Sequence, residues 1–395
     1  MLTSDVAIIG AGPVGLAFAA TLADRGLTSI LLERAPEAAL ANPAPDGREI
    51  ALTHRSIAIM QQLGAWDRLP PESISPLRAA RVLDGTSPYA LRFDPDGQED
   101  APLGKLVGNY HIRRTLHEAA MRRDGLRLLT GRTATCILRE AGGVTVHASG
   151  GPPVRARLAV AADTRFSPMR EAEGIPVLRD DFGTSMIVCR MRHELPHDHI
   201  ATERFAYGQI IATLPMNGLA CSVVITRRRD RIGALAALPV PEFDAEVTRA
   251  TRGSLGAMHL DGERYTYPLV GLFARRFTGP RFALLGDAAV GMHPVTALGF
   301  NIGLRGQDTL ATAIAEAAGR GVDIAAPSVL RSYELAHRRL AWPLWVGTNV
   351  VARLYGAQDP VARLARRTAL RLAQRLPPFK RAVTALLMDR GRAPA

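Results

Sequence analysis

A glycine-rich turn close to the first residue constrains the fold of this chain more than any other segment. Residues 10–15 read Gly-Ala-Gly-Pro-Val-Gly and lie between an apolar stretch, residues 5–10, and a run of helical periodicity, residues 13–25. In such a turn the first glycine permits the sharp bend, the second lets backbone approach a pyrophosphate, and the third lets helix and strand pack closely. A second apolar stretch, residues 28–33, follows. This order predicts a Rossmann-like α/β unit with a parallel sheet.

An acidic residue stands where a dinucleotide-binding unit needs one. Glu33 ends the second predicted strand, 18 residues after Gly15, and a carboxylate at this place hydrogen-bonds a ribose hydroxyl. By itself the turn does not distinguish FAD from NAD. The predicted nucleotide contacts in this part of the chain are Gly10, Gly12, Pro13, Val14, Gly15, Glu33 and Arg34.

A second motif, residues 282–308, points to a flavin. It reads FALLGDAAVGMHPVTALGFNIGLRGQD, and Asp287 in it follows a buried strand, where its carboxylate can accept a hydrogen bond from a ribityl hydroxyl. The helix predicted to begin near Asn301 can stabilise negative charge on a reduced flavin through its N-terminus. We therefore expect FAD, with backbone close to the flat ring at Phe300 and at the four candidate catalytic residues, which are His293, Pro294, Gly299 and Asn301.

Together the glycine turn and the Gly286-Asp287 pair resemble the single-component (group A) flavoprotein aromatic hydroxylases, the p-hydroxybenzoate hydroxylase-like superfamily. That superfamily has a third signature, Asp-Gly followed by Ser and Arg, and residues 163–170 match it at Asp163, Ser167 and Arg170, with Thr164 in place of the glycine. Residues 297–299 read Ala-Leu-Gly where the superfamily has Gly-Gln-Gly. The resemblance implies an α/β fold in which a Rossmann-like FAD-binding domain is interleaved with a β-sheet substrate domain, plus a helical C-terminal extension.

Longer segments make the resemblance narrower. Residues 46–66 (DGREIALTHRSIAIMQQLGAW), 182–191 (FGTSMIVCRM), 203–216 (ERFAYGQIIATLPM) and 293–305 (HPVTALGFNIGLR) look like the ubiquinone-biosynthesis hydroxylases. The form of the first and last segments is most similar to the UbiM-type branch, which resembles a demethoxyubiquinol hydroxylase. The resemblance implies that Arg48 and Asn109 contact the flavin phosphates or ribityl chain, and that Ala134 touches the adenine through its backbone.

The activity implied by the resemblance is the hydroxylation of an electron-rich ring. NADPH or NADH would reduce the flavin, which would react with O2 to give a C4a-hydroperoxide whose distal oxygen is transferred to a prenylated quinol or phenol. Two alternatives stay open: a hydroxylase of another small aromatic substrate, and a flavin-binding assembly factor without turnover. The predicted substrate walls come from a strand-rich stretch, residues 185–226, and are Phe205, Tyr207 and Met216. We expect no metal, because the histidines of residues 193–199 lack the pattern of a ligand set.

The motif order also predicts the division of the chain. We expect a discontinuous FAD-binding domain at 1–80, 105–175 and 270–330, and a substrate-binding sheet domain at 81–104 and 176–269. We expect the remaining residues, 331–395, to form a helical basic region. Within the first domain, residues 48–63 read as a helix and residues 70–104 as mainly loop.

Most of the net charge of +12 lies at the end of the chain, since residues 331–395 contain 13 Lys or Arg and 3 Asp or Glu. Residues 341–355 are apolar with two Trp, and residues 363–381 are amphipathic with scattered basic residues. This pattern predicts either a contact with an anionic membrane surface or with other ubiquinone-biosynthesis proteins, or a helix packed on the chain's own body. Nucleic acid is not expected, because no nucleic-acid-binding motif is present. Without a secretory signal or a long apolar run, we expect a cytoplasmic protein, either free or peripheral on the inner membrane.

Overall fold

A computed structural model of the protein describes residues 1–85, 90–95, 102–206, 208–356 and 376–389. In these ranges the strands form two eight-stranded sheets and one three-stranded sheet. Long helices cover the first sheet, and two shorter helices cover the second. The predicted wall residue Tyr207 lies outside the described residues.

The first eight-stranded sheet grows from the strand before the glycine turn. Its strands are β1 (Leu2–Ile9), β2 (Ser29–Leu32), β8 (Leu126–Leu129), β9 (Ala134–Glu140), β10 (Gly143–Ala148), β11 (Val154–Ala161), β17 (Thr278–Gly279) and β18 (Phe282–Leu284). The order is β17-β18-β11-β1-β2-β8, with the β9–β10 hairpin attached to β11. Because β1 runs parallel to both β2 and β11, the predicted Rossmann-like unit is confirmed.

Helices pack on this sheet and bury its apolar residues. They are α1 (Pro13–Asp24), α2 (Glu37–Ala41), α3 (His54–Gln62), α4 (Asn109–Ala120), α5 (Pro168–Ala172) and α8 (Gly299–Gly319). Helix α1 is apolar nearly all round and is buried from Gly15 to Leu22, as expected for a helix enclosed between α4, α8 and the sheet. This enclosure fixes the start of α1 against the end of β1, where the glycine turn lies.

A three-stranded sheet corrects two of the sequence-based expectations. It consists of β3 (Glu49–Leu52), β4 (Ile74–Leu77) and β7 (Gly104–Gly108), in the order β3-β7-β4. The expected helix over residues 48–63 is wrong in its first part, and residues 70–104 contain strands where loop was expected. The short apolar run of β3 fits helix or strand equally well, and antiparallel pairing with β7 decides for the strand. Thr53 then ends the strand and caps α3, its hydroxyl accepting a hydrogen bond from the Ser56 N–H.

The second eight-stranded sheet is the predicted separate sheet. Its strands are β5 (Ala79–Asp84), β6 (Ala90–Phe93), β12 (Val177–His193), β13 (Ile200–Ala206), β14 (Gln209–Pro215), β15 (Ala220–Arg228), β16 (Met258–Ala274) and β19 (Val290–Gly291). The order is β19-β16-β12-β15-β14-β13-β5-β6. All neighbours are antiparallel except β13 and β5, which are parallel. Helices α6 (Arg229–Ala236) and α7 (Val240–Ala250) cover one face, packing on residues such as Cys189 and Val223.

The described parts of the C-terminal region, within 331–356 and 376–389, are mainly helical, as expected, whereas most of the predicted amphipathic stretch, 363–381, lies outside the described residues. Helix α9 (Pro327–Gly356) packs along α8, and α10 (Pro377–Met388) places Met388 against Leu106 of β7. The described residues also form four short 3-10 helices, at Trp66–Arg68, Pro71–Ser73, Gly286–Ala288 and Pro294–Thr296. Among the described helices, none combines the length and apolarity needed to cross a lipid bilayer.

Candidate FAD site and active site

The glycine turn is tightly packed on its inner side and open on its outer side. Gly10 has φ +103°, and a Cβ there would lie 2.7 Å from the Ala162 carbonyl oxygen. A Cβ on Gly15 would lie 2.1 Å from the Gly10 carbonyl oxygen, whereas one on Gly12 would meet no atom within 4 Å. Gly12 is also the N-cap of α1 and provides no side-chain cap. The first amides of α1 therefore face an open cradle, which fits a pyrophosphate.

Glu33 is held at the rim of this cradle. One carboxylate oxygen accepts a hydrogen bond from the Ala11 N–H at 2.8 Å, and the other accepts one from the Ala35 N–H at 2.9 Å. Arg34 follows it and is exposed. Ala134 opens β9 and is buried. The turn and the acid are thus brought together as the sequence predicts, while Arg34 lies beside them at the surface.

The third signature buries a carboxyl group next to the glycine turn. The Cα of Asp163 lies 2.7 Å from the position of a Cβ on Gly10. The Oδ1 atom of Asp163 is buried and has no hydrogen-bond partner among the described residues. Burial raises the pKa of Asp163, against the lowering effect of its hydrogen bond with Ser167. A buried acceptor without a partner costs free energy, and a bound hydroxyl or amide donor would relieve this cost, so the site fits a polar cofactor.

Arg170 joins the third signature to the second motif. Its side chain is buried and donates hydrogen bonds from one nitrogen to the carbonyl oxygens of Arg165 at 2.8 Å and Ala288 at 3.0 Å. Arg165 in turn forms an ion pair with Asp287 at 3.0 Å. These contacts place the predicted ribityl-binding carboxylate of Asp287 on a turn that is fixed to the third signature.

The second motif meets the glycine turn at Val14. A Cβ on Gly286, whose φ is +57°, would lie 3.3 Å from a methyl carbon of Val14, and one on Gly303 would lie 2.8 Å from the same atom. Two segments separated by some 270 residues in the sequence are therefore in contact. A ligand that spans the turn at Gly10 and the loop before α8 has an extended shape, which FAD has.

A cluster around Asp46 was missed by the sequence reasoning. Its carboxylate accepts hydrogen bonds from Arg48 at 2.6 Å and from the Asn109 side-chain amide at 2.8 Å, and its carbonyl oxygen accepts one from the Tyr267 hydroxyl at 2.8 Å. The Arg48 guanidinium lies 5.6 Å from the centre of the Tyr267 ring. Asp46 thus holds the two residues that were assigned to the flavin. The signal for it is its position as the first residue of the segment that carries the family resemblance.

The loop before α8 contains the four candidate catalytic residues. Ala297 has φ +53° and redirects the chain into α8, which begins at Gly299. The side-chain oxygen of Asn301 accepts a hydrogen bond from the Thr53 N–H at 3.0 Å, and its NH2 group donates to the carbonyl oxygens of Ala51 at 2.8 Å and Ala297 at 3.1 Å. The Asn301 side chain therefore joins this loop to β3 and α3. Only the backbone amides of the first turn, from Gly299 to Asn301, are left to face a ligand.

His293 is buried at the start of this loop, just before Pro294. Its Nδ1 accepts a hydrogen bond from the Val295 N–H at 3.1 Å, and its ring lies edge-to-face against Phe182 with 4.7 Å between the centroids. Burial lowers the pKa of His293 to about 4. The ring is therefore neutral at pH 7, with its proton on Nε2, and it acts there as an uncharged donor and not as a cation.

The His293→Gln variant should lose less free energy of unfolding than the parent when the pH is lowered from neutral. The pKa is 6.5 in a free histidine and about 4 in the fold, so the unfolded state binds a proton that the fold rejects between these values. Above pH 6.5 the buried neutral His293 therefore costs no stability, and the free energy of unfolding falls as the pH drops from 6.5 towards 4. We expect the parent to lose about 1–2 kcal/mol more than His293→Gln between pH 7 and pH 5, measured by urea unfolding. His259→Gln, at an exposed position, is the control, and equal losses in both variants would contradict the assignment.

The predicted substrate walls lie at opposite ends of one strand pair. Phe205 is buried in β13 and pairs with Ile210 at the start of β14, whereas Met216 follows the end of β14. Six residues separate Ile210 from Met216, which is about 20 Å along a strand. The Met216 carbonyl oxygen accepts a hydrogen bond from His197 at 2.8 Å. Phe205 and Met216 therefore belong to two different parts of the sheet.

One row of side chains crosses the second sheet and is turned towards the FAD side. Residues in direct cross-strand register share a face, and the face opposite α6 and α7 carries this row. A Cβ on Gly47 would lie 2.6 Å from the ring of Tyr265, at one end of the row. The row, called the inner row below, is Leu91, Val82, Glu203, Ala212, Val224, Val188 and Tyr265. It contains neither Lys nor Arg. Elsewhere in the described ranges, no group of three or more His, Cys, Asp or Glu side chains could hold a metal ion.

Comparison with known proteins agrees with this geometry. Residues 3–346 match the family model described as an FAD binding domain. The ubiquinone hydroxylase UbiM of Neisseria meningitidis is 44% identical over 97% of this chain and 84% of its own length. The ubiquinone hydroxylase UbiL of Rhodospirillum rubrum is 35% identical over 96% of this chain and 88% of its own.

A solved structure shows the same fold at low sequence identity. The p-nitrophenol 4-monooxygenase of Pseudomonas putida superposes with a TM-score of 0.77 over 99% of this chain and 100% of its own, at 18% identity. The fold is therefore that of the FAD-dependent hydroxylases, which confirms the predicted class. On the family match and on the identity to UbiM and UbiL, the chain belongs to the FAD binding domain family and, within it, to the FAD-dependent hydroxylases of ubiquinone biosynthesis.

Proposed function

We propose that the protein hydroxylates the ring of a demethoxyubiquinol-type prenylated precursor, using FAD, O2 and either NADPH or NADH. The observation that carries the substrate class is the inner row, in which five of the seven side chains are aliphatic and none is a cation. An aromatic acid needs a cationic partner for its carboxylate when it leaves water. A neutral prenylated ring does not need one, and its burial against apolar side chains is favourable.

The residues around the glycine turn would hold the cofactor. Gly10, Gly12 and the first turn of α1 would take the pyrophosphate, and Glu33 the ribose, while Asp287 and the Asp46 cluster would face the ribityl chain. When bound, FAD supplies the activation of O2 and the delivery of one oxygen atom to a ring carbon. We propose that the FAD-binding residues named above belong to one of the two expected domains. The sheet of β12 to β16, which would cover the cofactor, belongs to the other.

The chain's own contribution is to position the ring and to exclude water. Apolar side chains of the inner row, such as Val82, pack in one cluster with Ala51 and Leu106 of the three-stranded sheet, and a dry site beside them would protect the reactive oxygen species from side reactions. The first amides of α8 would stabilise negative charge on the ring system that they face. His293, neutral and fixed by Val295 and Phe182, keeps its Nε2 proton as a single donor at the start of the loop before α8.

Substrate tests with the FAD-loaded enzyme decide between this proposal and its alternatives. We expect a demethoxyubiquinol analogue with a short prenyl tail to stimulate NAD(P)H oxidation and to gain one oxygen atom, as measured by mass spectrometry. Stimulation and product with a small phenol or aromatic acid, but none with the prenylated ring, would overturn the proposal. Absence of flavin reduction with both NADPH and NADH would favour the assembly factor, and the faster of the two reductions identifies the electron donor.

We also propose that helix α9 contacts an anionic membrane surface, from which a prenylated substrate would be drawn. Three exposed apolar side chains lie at intervals of seven and eight residues, hence on one face of the helix: Leu335, 44% exposed, Trp342, 41%, and Val350, 58%. Arg339 is exposed on the same face. Apolar side chains among basic ones suit the interface of an anionic bilayer.

Substitution of Trp342 and Val350 together by Ser should weaken binding to vesicles with 30 mol% phosphatidylglycerol by about tenfold or more. The measurement is co-sedimentation, with the blue shift of tryptophan emission as a second readout. Leu138→Ser, an equally exposed apolar side chain on β9, is the control. Unchanged binding of the double variant, or no binding of the parent, would count against this contact.

A further inference from the structure

Glu203 is an acidic side chain in an otherwise apolar setting. It lies on β13, with Val82 beside it on one neighbouring strand and Ala212 on the other. Apart from Tyr265 at the far end, every other member of the inner row is aliphatic. The alternation of side chains along β13 therefore places the carboxyl group of Glu203 on a face of the sheet that usually carries apolar side chains.

The surroundings on both sides of Glu203 show which space its side chain faces. On one side, Val82 packs in a cluster with Ala51 of β3 and Leu106 of β7, in the three-stranded sheet. On the other side, the inner row passes under Gly47, whose Cβ would lie 3.3 Å from the Val188 carbonyl oxygen. Segments that carry the proposed FAD contacts thus cover both ends of the inner row. Glu203 lies between these two covered ends, on the face of the sheet that is turned towards the proposed FAD contacts.

The carboxyl group of Glu203 has no partner among the residues that the structure describes. No described residue forms a hydrogen bond or an ion pair with Glu203, and the side chain is half-buried. Burial by surrounding atoms nevertheless raises the pKa of Glu203 to about 8. The half-buried carboxyl group thus lies in the middle of an apolar row whose two ends are covered by other segments, a setting that disfavours its charged form. An unpaired acid in such a place costs stability, and groups of this kind concentrate at functional sites.

We propose that Glu203 is a catalytic residue that hydrogen-bonds the oxygen substituents of the substrate ring and so orients the ring below the flavin. This inference rests on the proposed function. A protonated carboxyl group offers one O–H donor and one acceptor oxygen. A ring that carries a hydroxyl group next to a second ring oxygen presents the complementary pair. Such a double contact fixes the rotation of the ring in its plane, which an apolar wall cannot do.

The same carboxyl group selects the charge of the substrate. In its neutral form it accepts an uncharged phenol or quinol without an ion left unpaired in the cleft. An aromatic carboxylate beside Glu203 would face a second acid in a row that contains no cation, and this arrangement is unfavourable. Glu203 therefore favours uncharged rings over aromatic acids, independently of the prenyl tail.

The test compares Glu203→Gln, Glu203→Leu and the parent holoenzyme, with Glu242→Gln on the exposed side of α7 as the control. The readouts are the FAD content, the rate of flavin reduction by NAD(P)H without substrate, and the product formed per NAD(P)H consumed with the prenylated ring. We expect all proteins to keep FAD and normal reduction. We expect Glu203→Leu to lose about tenfold to a hundredfold in kcat/KM and most of the coupling. Glu203→Gln, which keeps one donor and one acceptor, should recover much of both.

The outcomes separate the two proposals. If the parent makes no product from the prenylated ring, the proposed function fails. If the parent makes product and Glu203→Leu equals it in kcat/KM and coupling, only the role of Glu203 fails. Loss of FAD from Glu203→Gln, whose shape matches that of the parent residue, would also overturn the role, because it would show a structural function. Equal losses in Glu242→Gln and Glu203→Leu would do the same.

Discussion

Gly15→Ala should yield a protein that folds poorly and binds no FAD. Its new methyl carbon would lie 2.1 Å from the Gly10 carbonyl oxygen, and backbone cannot move away cheaply because α1 is enclosed by α4, α8 and the first sheet. Separation of α1 from β1 would open the core that both share. We expect the free energy of unfolding to fall by more than about 3 kcal/mol, and the purified protein to be colourless at 450 nm.

Two other glycines make this prediction specific. Gly12→Ala adds a methyl group where no atom lies within 4 Å, so the apoprotein should keep its stability and lose affinity only for FAD, whose pyrophosphate would occupy that space. Gly233→Ala, in α6 and also free of contacts, should leave the FAD affinity unchanged and should not lower the stability, because Ala favours a helix interior over Gly. An apoprotein of Gly15→Ala that melts at the parent temperature would contradict the packing argument. A normal FAD affinity of Gly12→Ala would contradict the location of the pyrophosphate.

Asn301→Ala should destabilise the protein by about 2–4 kcal/mol and reduce hydroxylation beyond that loss. The side chain makes three hydrogen bonds, to Ala51, Thr53 and Ala297, and its removal leaves buried backbone groups without partners. The loop before α8 would then lose its connection to β3. Because the first amides of α8 would no longer be fixed below the flavin, we expect less product per NAD(P)H consumed, while FAD binding at the glycine turn continues.

A second asparagine serves as the control for this prediction. Asn217 donates hydrogen bonds to the carbonyl oxygens of Glu72 and Ile74 from an exposed turn, where water can replace the lost side chain. Asn217→Ala should cost less than about 1 kcal/mol. Urea unfolding of the apoproteins and coupling measurements on the holoenzymes test both variants. If Asn301→Ala unfolds like Asn217→Ala, the side chain of Asn301 does not hold the loop.

The FAD-binding half of the protein could be predicted from local patterns. Several of its contacts follow the end of a strand of the first sheet, as Gly10 and Asp287 do, and the order of such points along a parallel sheet brings them to one edge. The meeting of Val14 with Gly286 follows from this order. The strand at Glu49–Leu52 could not be predicted in this way, because its partner β7 lies more than fifty residues away in the sequence.

The substrate side depends on register, which a single strand does not reveal. Phe205 and Met216 were chosen because both belong to strand-like segments, but only the pairing of β13 with β14 places them at different ends. Glu203 immediately precedes the segment's Arg and Phe and looks like a surface residue by itself. Its environment is created by six other strands of the second sheet, so no local pattern indicates it. Asp46 was missed for a related reason, since its partners come from β16 and α4.

The two halves are interleaved along the chain, and this limits the order in which the protein can fold. Strand β18 completes the first sheet beside β11, although more than a hundred residues separate the two. In the same way β5 must wait for β13, which pairs with it in parallel. Pairings of such long range slow folding, since much chain entropy is lost before the contacts form. During synthesis the first sheet cannot be completed before β18 has left the ribosome, so the nascent chain exposes the unpaired edge of β11 until then, and such edges favour aggregation.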